Sequence, residues 1–157
     1  MPPAPLTIRV GKQALIAKDG SPQRIELVPG KPDSAVDLQA WTDDQTPDAD
    51  GHYHWRFRVT VAAGGLVERA GLADYVAPAD GYRQSFEYMM PKDPPDGQWS
   101  YTLSKSFFVR LKDDTYGVLQ VEMVAAGAHF VTCRSSVNPQ AGSRNLQPPP
   151  QPVRMRR

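Results

Sequence analysis

The sequence predicts an all-β protein: an antiparallel two-sheet β-sandwich, immunoglobulin-like or jelly-roll-like, with extended proline-rich termini. Three observations carry this expectation. Apolar and polar residues alternate through many short runs, turn-forming residues end each run, and 16 prolines and 12 glycines among 157 residues would break a helical bundle repeatedly. At this length one domain can bury roughly 70% of the surface its unfolded chain exposes, enough for a core without covalent staples.

The clearest run is "HYHWRFRVTVA", residues 52–62. Tyr53, Trp55, Phe57, Val59 and Val61 fall on one phase, and His52, His54, Arg56, Arg58 and Thr60 on the other, which places two histidines and two arginines opposite a buried row. Before it come "LTIRV" (6–10), "QALIA" (13–17), "RIELV" (24–28) and "AVDLQAW" (35–41), separated by "DGSP", "PGKPD" and "PDADG". After it come "ADYVA" (73–77), "YRQSFEYMM" (82–90), "QWSYTLSKSFFVRLK" (98–112), "YGVLQVEMVAA" (116–126) and "HFVTCRSSV" (129–137). In the longest run Trp99, Tyr101, Leu103, Phe107, Val109 and Leu111 share a face, but Lys105 and Phe108 break the alternation, which predicts a bend or bulge between 104 and 108. The stretch 66–77 has near-helical apolar spacing, yet Gly71 interrupts it and no N-cap precedes Leu66, so strand or loop is expected there. Nine or ten strands result. Trp55, Phe57, Val59, Trp99, Phe107, Val109, Leu119, Val121, Val131 and Cys133 are the expected core.

Residues 1–5, "MPPAP", and 138–157, "NPQAGSRNLQPPPQPVRMRR", are rich in proline and poor in core formers. They read as extended arms flanking a sandwich domain of residues 6–137. The C-terminal arm ends in Arg154, Arg156 and Arg157 beside a polyproline stretch, which a partner can capture at small entropic cost, so these arginines are the expected partner-binding residues.

Eighteen basic against 17 acidic residues leave a formal charge of +1, which provides no global field for nucleic acid. No stretch reaches the ~20 apolar residues of a membrane helix, so no membrane insertion is expected. The first residues contain no secretory signal; localisation stays open, since an exported or surface-associated protein numbered after processing fits the same composition. The single cysteine, Cys133, rules out an intramolecular disulfide, and its phase with Val131 and Val137 puts it on the core side, where a thiol is inert.

Candidate chemistry is sparse. Asp44, Asp48 and Asp50 precede Gly51 and offer hard oxygen ligands for a structural calcium ion, although an EF-hand register would place Thr46 and Phe57 where its first and last ligands belong. His52 and His54, with His129, could complete a zinc site only if the fold brings all three together. Trp41, Tyr75, Tyr82 and Trp99 lie at run ends, where aromatic faces stack on sugars, and are the candidate ligand-binding residues. No nucleophile elbow, phosphate-binding loop or zinc-finger spacing occurs, and no catalytic residue is assigned. The expected role is therefore non-catalytic: an accessory or structural module that mediates protein–protein assembly with other subunits through sheet edges and terminal arms. The alternative is a carbohydrate-binding module with a glycan ligand and a loop calcium ion. A metal-dependent hydrolase ranks third.

Overall fold

A computed structural model describes residues 8–42, 49, 51–71, 74–126 and 129–147. Among the described residues nine strands form two sheets: β1 (Ile8–Ile16), β2 (Gln23–Glu26), β3 (Ala35–Thr42), β4 (Trp55–Val61), β5 (Gly64–Glu68), β6 (Ser85–Met90), β7 (Thr102–Leu111), β8 (Tyr116–Val124) and β9 (His129–Asn138). The five-stranded sheet runs β1-β9-β8-β7-β5 and the four-stranded sheet β2-β3-β4-β6. Every pairing is antiparallel. The expected all-β, two-sheet sandwich is the fold of the chain.

Alternation on facing strands makes the core. Val36, Leu38 and Ala40 of β3 sit opposite Val61, Val59 and Phe57 of β4, and these residues, with Trp55, are at most 1% exposed. Phe107 and Val109 of β7, Leu119, Val121 and Met123 of β8, and Val131, Cys133 and Val137 of β9 belong to the same buried cluster. Trp99, expected in the core, packs at its margin and is only partly buried.

Local expectations meet two corrections. β4 begins at Trp55, so His52 and His54 precede the strand instead of lining its polar row. The bulge expected between 104 and 108 is absent: β7 pairs with β8 one-to-one from Thr102 opposite Val124 to Arg110 opposite Tyr116. Two side chains account for the broken alternation without one. Phe108 points to the far face of the sheet and is still buried, 3% exposed, because further chain covers it there. Lys105 shares the inward phase, but its long stem carries the ammonium past the Phe86 ring, 5.8 Å away, to Glu68 at 3.7 Å.

The chain changes sheets between β4 and β5 with only Ala62 and Ala63 between them. Gly64 turns this corner at φ 148°, where a side chain would run into the Arg110 carbonyl oxygen. Glycine there is a steric requirement. The turn before β3 is tied by Ser34, 2% exposed, whose hydroxyl accepts the Val28 N–H at 2.9 Å and bonds the Lys31 carbonyl at 2.7 Å.

Candidate functional site

The polar row of β4 is occupied by its own neighbours. Arg58 bonds Glu87 of β6 at 2.9 Å, Arg56 approaches the same carboxylate at 3.9 Å, and both guanidiniums lie over the Trp41 ring at 5.1 and 4.8 Å from its centroid. One row further out, Arg24 of β2 forms two 2.9 Å bonds to Asp37 of β3, which hold the guanidinium above its usual pKa. Such exposed pairs contribute little to stability, but they leave this face a self-satisfied ladder. Trp41 is part of it: its edge packs on Gly20, where a β-carbon would collide with the indole.

The outer face of the five-stranded sheet is different. Residues 74–82 and 139–147 fold over its β7–β8 half and bind each other through Ala77 N–H to the Arg144 carbonyl, 2.9 Å, and Leu146 N–H to the Tyr75 carbonyl, 2.7 Å. Beneath them Ala77, Phe108, Tyr116, Val118 and Leu146 form a second buried cluster, with Tyr82 and Val67 packed against it. Asn138, fully buried, anchors the return: its amide donates to Ser143 Oγ at 3.0 Å and to the Asn145 carbonyl at 2.9 Å. Residues 138–147, whose composition suggested an arm outside the sandwich, are therefore packed on it. Leu146 is the apolar anchor that a proline-rich context concealed.

The cover stops short of β1 and β9, and its edge leaves a groove of about 430 Å³. Its floor is the sheet: Gly11 of β1, Arg134 of β9 and Gln120 of β8 stand side by side, with Ser136 and Val118 in the next row. Tyr75 and Leu146 of the covering segments wall it. Arg9, Arg134 and Arg69 line it, and among the described residues no lining side chain is acidic. Arg69 is 7% exposed and structural in its contacts, donating to the Asp74 carbonyl at 2.7 Å and to Ser106 Oγ at 3.2 Å, with the Tyr75 ring 5.3 Å away. Arg9 and Arg134 are exposed, and among the described residues neither has a carboxylate within ion-pair distance. A second concavity, between residues 28–34 and 111–113, has the ion pairs Lys31–Asp113 and Lys112–Asp33, at 3.6 and 3.8 Å, among its own lining.

The four candidate aromatic residues do not form one platform. Trp41 lies on the four-stranded sheet. Tyr75 walls the groove. Tyr82 is tucked against Tyr116, 6.0 Å between rings, with its hydroxyl on the Pro78 carbonyl at 2.9 Å; burial pushes its pKa up to about 12. Trp99 stacks on His52 at 4.6 Å and donates its indole N–H to the Tyr53 carbonyl at 2.9 Å. The histidines have three separate settings: His52 on Trp99, His54 Nδ1 accepting the Lys92 N–H at 2.9 Å, and His129 buried with Nε2 2.8 Å from Thr42 Oγ1. Among the described residues no three metal-ligating side chains come together. Asp44, Asp48 and Asp50, and likewise Arg154, Arg156 and Arg157, lie outside the described residues.

Burial raises the Cys133 thiol pKa to about 12, so the reactive thiolate is scarce at any ordinary pH. A thiol reagent at pH 8 is expected to label the native chain only at the rate of global opening and at once after denaturation. Fast labelling of native protein would contradict the buried position.

No local pattern in the sequence marks Arg9 or Arg134 as a site residue. Each sits on the outward phase of its run, in "LTIRV" and "HFVTCRSSV", but only the β1–β9 pairing, which joins two ends of the domain, makes them neighbours. No protein-family model matches the chain, and comparison with curated proteins and with solved structures finds no similar one. Fold and geometry thus define its class, an antiparallel β-sandwich with a covered outer face on one sheet.

Proposed function

We propose that the chain is a non-catalytic β-sandwich module that joins other protein subunits by strand addition at the β1 edge. The observation that carries the reading is the state of that edge. β1 spans nine residues and, among the described residues, pairs with β9 alone, so alternate peptide groups along it point away from the sheet toward an incoming strand. The other three edges offer less: β2 has four residues, β6 has six, and β5 has five and is bonded in both directions at Leu66 to Arg83. Beside the open edge, Leu15 and Phe130 are cross-strand partners and 61% and 40% exposed, an apolar pair that a docked partner would cover. Lys12, exposed in the middle of β1, discourages indiscriminate pairing and selects a partner strand of complementary charge.

The test is the native mass of the full chain purified from its source. It is expected in a particle heavier than one chain, and Leu15→Glu with Phe130→Glu is expected to release it as a monomer. A full chain that is monomeric from the start, or a complex indifferent to both substitutions, would end this reading.

A further inference from the structure

The geometry points to the groove beside β1 as a binding site for a small organic anion, an oxyanion carried on an apolar body, with Arg9 and Arg134 as its charge-recognising residues. The inference is independent of strand addition at the edge.

Charge and shape carry it together. Arg9 is opposite Ser136 and Arg134 opposite Gly11 in the β1–β9 register, so the two cations are diagonal neighbours on one face, with backbones roughly 7–8 Å apart. Both side chains are long enough to bring their guanidiniums to one oxyanion held between them, which would accept charge-assisted hydrogen bonds from both. The sequence clears the space it would occupy. Gly11 brings no side chain next to Arg134, and a β-carbon built there meets nothing within 4 Å. Gln120, on the other side of Arg134, adds a neutral amide that can donate to the same oxygen atoms. Glu122 is next along the outward phase of β8 but does not line the groove.

The remaining walls select the body of the ligand. Val118 on the floor and Leu146 and Tyr75 at the rim are apolar or aromatic, and about 430 Å³ exceeds what a bare inorganic anion fills. An aryl or alkyl group lying on Val118 with its phosphate or carboxylate toward Arg9 and Arg134 uses both ends of the cavity.

The experiment is a titration of the isotope-labelled full chain followed by amide NMR. The probes are 1-naphthyl phosphate, 1-naphthoate, inorganic phosphate and the neutral 1-naphthol. Saturable shifts centred on Gly11, Gln120 and Ser136 are expected with naphthyl phosphate or naphthoate, and comparison of the two identifies the preferred oxyanion. Inorganic phosphate and naphthol, each lacking one half of the recognised chemistry, are expected to bind at least about tenfold more weakly. Arg9→Gln with Arg134→Gln is expected to weaken the better probe by about tenfold or more and to flatten its salt dependence. Both arginines are exposed, so the variant keeps its fold, which its unchanged spectrum away from the groove would verify. The inference is overturned if neither aromatic anion produces saturable shifts at the groove, or if the double variant binds it as well as the parent chain. Neither result depends on whether the chain is found in a complex.

Discussion

Trp55→Ala is expected to lower the free energy of unfolding by about 3–5 kcal/mol, a large share of what a domain of this size possesses. Trp55 is fully buried, opens β4, and packs against Tyr88 with ring centroids 5.6 Å apart. Its indole N–H also supplies the 2.9 Å bond to the Ser100 carbonyl that ties the start of the β7 region to the opposite sheet. Alanine therefore removes a large apolar volume and strands an acceptor in one step. Trp55→Phe separates the contributions: it keeps most of the packing, loses the bond, and is expected to cost about 1–3 kcal/mol. Urea unfolding followed by circular dichroism measures both. If Trp55→Ala costs under about 1 kcal/mol, Trp55 does not occupy the centre assigned to it.

The second large effect is a comparison of two shortened chains. One ending at Gln147 is expected to unfold as the full chain does. One ending at Val137 is expected to lose at least about 3 kcal/mol and to bind a dye that reports exposed apolar surface. The ten residues between those endpoints contain Asn138, fully buried, and Leu146, 3% exposed, and their removal uncovers Phe108, Tyr116 and Val118 on the outer face. Tyr75 and Ala77 would also lose the backbone partners that hold the other covering segment. Equal stability of the two chains would mean that residues 138–147 are not part of the folded unit. The comparison also bears on assembly: the chain ending at Gln147 lacks Arg154, Arg156 and Arg157 but keeps every described residue of the sandwich.

How much of this was legible in the sequence depends on how far apart the interacting residues lie. Strict alternation in "WRFRVTV" reports a strand with one wet and one dry face, and β4 has both. The same rule misleads at Phe108, because alternation assumes one covered face and the sheet there is covered on both. Leu146 is hidden for a related reason: a lone leucine in a proline-rich segment has no periodic neighbours to reveal that it is buried. Its aromatic ring marks Tyr75 in the sequence and it lines the groove, whereas nothing local marks Arg9 and Arg134. Their role depends on the pairing of β1 with β9, a long-range fact that no local pattern encodes. The ion pairs around Trp41 are likewise a product of strand order, with Glu87 brought beside β4 by β6 rather than by the neighbouring β5.

The pairing of β1 with β9 also sets a schedule. β1 ends at Ile16 and β9 begins at His129, so roughly 110 residues separate the strand from the lateral partner it has among the described residues. At ribosomal speeds of 5–20 residues per second, that interval lasts about 6–20 s. For that time the first strand emerges with both edges open, while β2, β3 and β4 can already form their meander. Any subunit that adds a strand at β1 could therefore meet it on the ribosome, before the sandwich has closed. The order of synthesis would then decide which partner reaches the strand first.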